Sequence, residues 1–147
     1  YQPGIGAMLT RLHSQQLVNV GIVDQPAQQV LAALPEQSLS EVRIFFPDPW
    51  PKKRHFKRRL IQTEFLRQLH RVMKMQALIR LATDWAPYAD WMVEQFAEVS
   101  GYTLVEDRER RADAASATTV RGTTKFEARG ERLGHTIRDL VYEKTAN

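Results

Sequence analysis

Short apolar runs alternate along this chain with segments whose apolar residues recur every three or four positions. The apolar runs, which predict buried strands, cover residues 18–23, 42–46, 77–82, 103–106 and 136–143. The periodic segments, which predict helices, cover residues 3–15, 26–34, 63–73 and 88–99. Strands that alternate with helices predict an α/β fold with a mainly parallel sheet, and we expect the last strand to be antiparallel.

A few residues with strong local preferences predict where these elements begin and end. Thr63 suits a helix cap, and Gly101 suits the left-handed residue that ends a helix. Residues 107–111 predict a charged surface turn. We expect a single domain over residues 1–147, because this length is enough to bury a core.

Asp48 follows the apolar run 42–46 and lies between two prolines, Pro47 and Pro49. Proline fixes its own φ and restricts the residue before it to extended conformations, so the carboxylate leaves the strand in a narrow range of directions. A carboxylate accepts two parallel N–H bonds, the pattern that guanine N1–H and N2–H₂ offer. Asp48 is therefore a candidate ligand of guanine. A proline-rich turn before a solvated charge run is the alternative.

The positive charge of the chain is concentrated directly after Asp48. The net charge is +4, from 21 Lys and Arg against 17 Asp and Glu, and six of the bases lie in residues 52–59. Without those six, 15 bases against 17 acids would leave −2. One basic patch is typical of a surface that binds a polyanion, and a solvated loop is the alternative. His55 and Phe56 favour RNA, because flat side chains stack on bases.

Two further carboxylates follow predicted strands. Asp24 comes after residues 18–23, and Asp84 comes after residues 77–82. Open α/β sheets bind ligands at the carboxyl ends of their strands, so we expect Asp48 and Asp84 to border one crevice. Asp24 and Asp84 also suit the N-cap of the helix that follows each of them, which stays open as the alternative.

The composition excludes several classes of site. The chain has no cysteine, which excludes disulfides and thiolate metal sites, and no spacing of His, Asp and Glu suggests another metal site. Apolar residues make up 43% and charged residues 26%, as in ordinary globular proteins. No apolar run reaches the length of about 18 residues that crossing a membrane requires. We expect a protein of the reducing cytoplasm.

Three motifs together resemble the signature of the bacterial tRNA (guanine-N7)-methyltransferases. They are Phe-Pro-Asp-Pro-Trp-x-Lys-x-Arg-His-x-Lys-Arg-Arg over residues 46–59, Ala-Thr-Asp-Trp-x-Pro-Tyr over residues 82–88, and Thr-Lys-Phe-Glu-x-Arg-Gly-x-Arg-Leu-Gly-His over residues 124–135. They stand in the order that the family shows, and the resemblance extends over nearly the whole chain. It implies a Rossmann-like class I methyltransferase fold without its first strand or strands.

The resemblance also implies a function and roles for individual residues. The function is transfer of a methyl group from S-adenosylmethionine to N7 of a guanosine in the variable loop of tRNA. Asp48 is implied as the catalytic residue that holds the guanine, and Asp24 and Asp48 are implied as cofactor contacts. The residues implied on the substrate side are Lys52, Asp84, Thr124, Lys125, Phe126 and Glu127. The residues implied to contact the tRNA are Arg54, His55, Phe56, Lys57, Arg58 and Arg59.

Departures from the family's pattern leave a second function open. The family has a glycine-rich strand and turn for the methionine part of the cofactor and an acidic residue for its ribose, and residues 1–147 contain no counterpart of either. Met73-Lys74-Met75-Gln76 replaces a Pro-Gly-Gly turn, although glutamine enters positive φ less easily than glycine. The alternative is a non-catalytic RNA-binding relative. A Rossmann oxidoreductase fragment has no fingerprint in its favour, and the sequence does not distinguish a monomer from a homodimer.

Overall fold

The computed structural model describes residues 2–111 and 136–146, and the chain divides into two compact units, Tyr1–Ala33 and Leu34–Asn147. The first unit contains two helices, α1 (Gln2–Ser14) and α2 (Ala27–Ala33). Both helices lie where the spacing of apolar residues predicts them. The expectation of a single domain stays a prediction. In the described parts of the chain, no helix has both the length and the apolar character needed to cross a membrane.

Residues 18–23 do not form the predicted strand. Residues 17–26 contain neither helix nor strand, and Val18, Val20 and Val23 are 97%, 43% and 65% exposed. A β-branched run forms a strand where a neighbouring strand supplies hydrogen bonds and cross-strand contacts. Among the described strands none pairs with this run. Asp24 therefore does not follow a strand, contrary to the prediction.

The second unit is built around a four-stranded mixed sheet with the strand order β1-β2-β4-β3. The strands are β1 (Leu39–Phe45), β2 (Met73–Thr83), β3 (Tyr102–Arg111) and β4 (Thr136–Lys144). β1 and β2 are parallel, and β4 pairs antiparallel with both β2 and β3. The α/β class and the antiparallel last strand are confirmed. The expected predominance of parallel pairing is not, because one of the three pairings among the described residues is parallel.

Two helices of the second unit supply much of its core. α3 (Thr63–Val72) connects β1 to β2, and α4 (Ala86–Ala97) connects β2 to β3. The apolar stripe predicted on α3 is buried, and so is one face of α4. Burial of each large apolar side chain contributes about 1.5–3 kcal/mol, so this core fixes the strand ends that carry the candidate site. The fully buried side chains include Leu66, Leu69, Val72, Ile79, Leu81, Tyr88, Met92, Ile137 and Leu140.

β2 begins with an irregular stretch where the resembled family has a Pro-Gly-Gly turn. Leu39 pairs with Met73 and Glu41 pairs with Leu78, so the β1–β2 register shifts between these two pairs. Gln76 lies in this stretch with φ 62°, in the left-handed region that glycine adopts without strain. The strand thus begins directly after α3, and the strained backbone of Gln76 is part of it.

Residues 107–111 continue β3 and do not form the predicted charged turn. Their charges are complementary to those of β4. The guanidinium of Arg138 donates two 2.7 Å hydrogen bonds to the carboxylate of Asp107, and Arg110 donates to Asp139 at 2.6 Å. The hydrogen bonds from Arg138 hold the pKa of Asp107 below its usual value. Pairs of opposite charge on neighbouring strands stabilise a sheet. The charged residues of this segment therefore support strand pairing between β3 and β4.

Candidate functional site

Asp48 and Asp84 follow neighbouring parallel strands and leave the sheet at the same edge. The last residues in register are Phe45 and Ala82. The N–H of Phe46 extends this pairing by donating a 2.8 Å hydrogen bond to the carbonyl of Ala82. Asp48 and Asp84 come within three residues of this point, and both are exposed. The predicted common edge is confirmed by the register, whereas the roles of the two carboxylates stay predictions.

The loop that carries Asp48, residues 46–50, has an unusual backbone and is here called the Asp48 loop. Phe46 and Trp50 lie at its two ends with φ 51° and 43°. Such left-handed conformations cost a non-glycine residue about 1–2 kcal/mol, so they persist where the surroundings impose them. Phe46 packs against the buried pair Ala82 and Ile137. The Asp48 loop is therefore anchored to the core at the end that adjoins β1.

The basic segment forms a 3-10 helix, Lys53–Arg58. The N–H of Arg59 closes its last turn by donating to the carbonyl of Phe56 at 3.0 Å. The side-chain amide of Gln62 donates to the carbonyls of Phe56 and Arg59 at 3.0 and 3.2 Å. The bases of this segment that are exposed are Lys52, Lys53, Arg54, Lys57 and Arg58. The positive charge is thus displayed on an ordered helix.

Trp50 connects the Asp48 loop to the 3-10 helix. The guanidinium carbon of Arg58 lies 4.9 Å from the centre of the Trp50 ring. The ring of His55 meets the same indole edge-on, with 5.7 Å between ring centres. A 3-10 helix has three residues per turn, so residues 55 and 58 share one side of it. Two of the predicted tRNA contacts therefore rest on a residue of the Asp48 loop.

Arg59 is buried, with 4% of its surface exposed, although the sequence predicts that it contacts tRNA. Its Nε donates a 2.9 Å hydrogen bond to the carbonyl of Pro49. Its guanidinium carbon lies 3.7, 5.0 and 5.1 Å from the ring centres of Phe56, Tyr88 and Trp91, here called the aromatic cluster. Burial lowers the pKa of Arg59 from its ordinary value. The enclosure of this cation by rings opposes a direct contact with tRNA, which stays a prediction.

Phe56 belongs to this cluster as well and is half-buried. Its ring lies under the guanidinium of Arg59 and meets the ring of Trp91 at 5.6 Å between centres. One face of the ring is therefore covered by protein. This packing opposes the predicted stacking of Phe56 on an RNA base.

Helix α4 holds the chain that follows the 3-10 helix. The hydroxyl of Tyr88 accepts a 3.3 Å hydrogen bond from the N–H of Ile61, and Trp91 Nε1 donates to the carbonyl of Ile61 at 2.8 Å. Gln95 Oε1 accepts a hydrogen bond from the N–H of Thr63, which is the first residue of α3 and not its predicted cap. The sequence predicts the aromatic residues of α4 as core. They also fix the chain between the basic segment and α3.

The carboxylate of Asp48 influences the same aromatic cluster. Burial raises the pKa of Tyr88, and the negative charge of Asp48 acts in the same direction as a smaller contribution. Asp48 is itself exposed. The exposed carboxylate thus lies within electrostatic reach of the Tyr88 hydroxyl.

The remaining predicted site residues are Asp24, Lys52 and four residues of the third motif. Thr124, Lys125, Phe126 and Glu127 lie outside the described residues. Asp24 is an exposed residue of the first unit, whereas Asp48 belongs to the second unit. Lys52 is exposed at the start of the 3-10 helix. Within residues 2–111 and 136–146, no cluster of His, Asp and Glu could hold a metal ion.

Comparison with known sequences gives one matching family model and several curated relatives. The model, described as "Putative methyltransferase", matches residues 1–140. The tRNA (guanine-N(7)-)-methyltransferase of Yersinia pestis strain Pestoides F is 42% identical over 98% of this chain and 59% of its own length. Those of Nitrosococcus oceani and Legionella pneumophila strain Corby are 42% and 41% identical, over 100% and 98% of this chain and 60% and 63% of their own lengths. The chain thus spans about three fifths of these relatives.

Comparison with solved structures gives neighbours with the same fold at low sequence identity. The precorrin-6y C5,15-methyltransferase of Geobacter metallireducens has a TM-score of 0.56 at 15% identity, over 96% of this chain and 62% of its own. A SAM dependent methyltransferase of Archaeoglobus fulgidus has a TM-score of 0.51 at 12% identity, over 86% and 68% of the two chains. The Rossmann-like fold that the motifs implied is confirmed.

Proposed function

This chain belongs to the methyltransferase family whose model matches residues 1–140, and from that membership we propose the reaction of the whole protein. It transfers a methyl group from S-adenosylmethionine to N7 of a guanosine in the variable loop of tRNA. The observation that carries the proposal is the exposed carboxylate of Asp48 at the sheet edge, in a loop that directly precedes a 3-10 helix with exposed bases. The names of the curated relatives support the same substrate.

Guanine N7 carries a free lone pair, so its attack on a methyl group needs no strong general base. Most of the catalysis is then positioning. Holding the two reacting atoms at near-attack distance can remove about 7–11 kcal/mol of the barrier at best, because the entropy of encounter is lost in advance. The chain's part in this is to orient a purine and to hold it still.

Asp48 orients the purine in this proposal. Its carboxylate accepts hydrogen bonds from guanine N1–H and N2–H₂, and this contact sets the direction in which N7 points. The two prolines and the left-handed residues of the Asp48 loop restrict the positions that the carboxylate can take. Lys52, Asp84 and the motif residues Thr124, Lys125, Phe126 and Glu127 are the proposed lining of the substrate side.

S-adenosylmethionine supplies an electrophilic methyl group on a positively charged sulfonium. The donor chemistry at the sheet edge fits this group in charge, because Asp48 and Asp84 are both exposed carboxylates there. Asp24, the second proposed cofactor contact, is exposed and follows no strand. The described residues thus offer a charge contact to the cofactor. We assign that contact to Asp48 and keep Asp24 as a proposed partner.

The tRNA backbone is bound in this proposal by exposed cations of the 3-10 helix. These cations are Arg54, Lys57 and Arg58, the half-buried ring of His55 is a further proposed contact beside them, and the burial of Arg59 opposes its own contact with tRNA. Phosphate contacts of this kind release counterions, so binding weakens as salt is added. The proposed place of the reaction is the cytoplasm, in agreement with tRNA as the substrate.

The test is methyl transfer from isotopically labelled S-adenosylmethionine to a tRNA transcript, carried out with the protein expressed from its own complete coding sequence. We expect label on a variable-loop guanosine. A transcript with 7-deazaguanosine at that position should accept none, because carbon replaces the nucleophilic nitrogen. Equal labelling of the two transcripts would contradict N7 as the target.

Non-catalytic RNA binding is the second candidate function, and it predicts a different pattern. In that case the protein binds tRNA without methyl transfer, and calorimetry with S-adenosylmethionine gives no heat of binding. Transfer to the unmodified transcript excludes this candidate.

A further inference from the structure

The buried cation of Arg59 contacts three elements of the second unit at once. Its Nε donates to the carbonyl of Pro49 in the Asp48 loop at 2.9 Å, its guanidinium covers Phe56 of the 3-10 helix at 3.7 Å, and it faces Tyr88 and Trp91 of α4. A charge that is 96% buried needs partners, because desolvation disfavours it. Its partners lie on the Asp48 loop, on the 3-10 helix and on α4.

We propose that Arg59 is a positioning residue, which fixes the Asp48 loop and couples it to the RNA-binding 3-10 helix. The catalytic part of this inference rests on the proposed function. Arg59 touches neither the guanine nor the methyl donor in this proposal. It acts through the backbone of Pro49, the residue next to Asp48.

The hydrogen bond from Arg59 reaches the end of the Asp48 loop that is not anchored to the core. Phe46, at one end of the loop, is held by the core and by the carbonyl of Ala82. Trp50, at the other end, also has a left-handed backbone, and Arg59 binds the carbonyl directly before it. Strained conformations persist only where contacts over-determine them. The contact with Pro49 supplies one of these constraints.

The coupling to RNA follows from the residues next to this contact. Trp50 lies against Arg58 and His55, which are both proposed tRNA contacts. Binding of a phosphate by Arg58 therefore acts on the same short stretch, Pro49 and Trp50, that Arg59 holds from the buried side. The Asp48 loop is therefore held both by Arg59 at Pro49 and by Arg58 and His55 at Trp50, and both sets of contacts require the 3-10 helix to be folded.

A lysine could not replace Arg59 in this role. The planar guanidinium lies over a ring and donates from its edge in the same geometry, whereas an ammonium group is a compact charge that is strongly hydrated. Arg59→Lys keeps the charge but loses the planar donor. It should therefore show part of the defect of Arg59→Met, which keeps an unbranched chain about as long as the aliphatic part of arginine and removes both charge and donor.

The test compares Arg59→Met with two matched variants in the complete protein. Arg59→Met should lower kcat by about tenfold to a hundredfold, the effect of a reacting group misplaced by about 1 Å. Its tRNA dissociation constant and the salt dependence of binding should stay those of the wild type. Arg58→Met should instead weaken tRNA binding and flatten its logarithmic salt dependence by about 0.7–0.9. Arg67→Met, on the exposed side of α3, should change neither property.

Weaker tRNA binding by Arg59→Met with an unchanged kcat would overturn the inference, since Arg59 would then be an RNA contact. A merely structural role would lower the melting temperature and leave kcat per folded molecule unchanged, which also overturns it. If Arg59→Met does not fold, Phe56→Leu takes its place. That variant removes the ring at 3.7 Å and keeps the cation, and its kcat should fall by about tenfold.

Hydrogen exchange separates this inference from the proposed function. In Arg59→Met the amide protons of Phe46 and His55, which donate to the carbonyls of Ala82 and Lys52, should exchange faster than in the wild type, while those of β2 stay protected. This result supports the inference even if the wild-type protein transfers no methyl group. Unchanged exchange at both amides would overturn it even if methyl transfer is found.

Discussion

The N–H of Phe46 donates a 2.8 Å hydrogen bond to the carbonyl of Ala82, one residue beyond the last pair of the β1–β2 register. The two parallel strands thus stay joined up to the point at which the Asp48 loop begins. Asp48 and Asp84 are therefore held by one ladder at one edge of the sheet. Since the ladder is made by backbone groups, a substitution of either carboxylate should leave it intact and report on the site alone.

Asp48→Asn should lower kcat/KM for methyl transfer by at least about a hundredfold. The amide keeps the size of the side chain but replaces one acceptor by a donor, which faces the donors of guanine and leaves polar groups unpaired. The measurement is the initial rate at several tRNA concentrations. Glu64→Gln, an exposed carboxylate on α3, is the control and should behave as the wild type. Full turnover in Asp48→Asn would contradict the assigned role.

Replacement of exposed cations on the 3-10 helix should reduce the salt dependence of tRNA binding. We expect the double variant Lys57→Gln and Arg54→Gln to have a smaller slope of log K against log salt. The reduction should be about 0.7 for each phosphate that the variant no longer binds. The slope is measured by fluorescence anisotropy with labelled tRNA. Lys74→Gln, an exposed base in β2, serves as the control. A slope equal to that of the wild type would place the RNA surface elsewhere.

Gln76→Gly should stabilise the protein by up to about 1 kcal/mol. The left-handed backbone of Gln76 costs about 1–2 kcal/mol in a non-glycine residue. Glycine removes this strain, but its larger loss of conformational entropy on folding offsets about 0.5–1 kcal/mol of the gain. Urea denaturation followed by far-UV circular dichroism gives the difference. Lys74→Gly, two residues earlier, has no positive φ to relieve and should be destabilising. Equal losses of stability in both variants would contradict the assigned strain.

Asp107→Asn should destabilise the protein at neutral pH and have little effect at strongly acidic pH. The pKa of Asp107 is lowered in the folded state, chiefly by hydrogen bonds from Arg138. The stabilisation from the ionised carboxylate is present above the ordinary value of about 3.9, and it is lost as the pH falls through the folded-state pKa.

The measurement is the free energy of unfolding in urea for both proteins at pH 7 and pH 2. Glu106→Gln, an exposed carboxylate on the same strand whose cross-strand partner is Val141, is the matched control. A deficit of Asp107→Asn that is the same at both pH values would mean that the ion pair with Arg138 contributes no pH-dependent stability.

Much of the second unit could be predicted from the sequence, because its apolar periodicity reflects real burial. The stripe Phe65, Leu66, Leu69 and Val72 is buried as predicted. The placement of Asp48 and Asp84 at one edge follows from two strands that each end in an aspartate motif. Local preference was correct again at Gly101, which has φ 86°.

The predictions that failed share a cause. Whether a segment forms a strand, or a side chain is buried, depends on contacts with residues that are distant in the sequence. Residues 18–23 have the composition of a strand and no strand beside them among the described residues. Residues 107–111 have the composition of a turn, and complementary charges on β4 make them a strand. Arg59 belongs to a run of bases, and its contacts with the aromatic cluster and with the carbonyl of Pro49 distinguish it from Arg58.

The hydrogen bond between Arg59 and Pro49 joins residues that are ten positions apart in the chain. A 3-10 helix turns by about 120° per residue, so one residue inserted into or deleted from the helix 53–58 would move the guanidinium away from the aromatic cluster. The spacing of this stretch is therefore more constrained than the identity of its outward-facing cations. Natural variation here should consist of exchanges of one side chain for another at constant length.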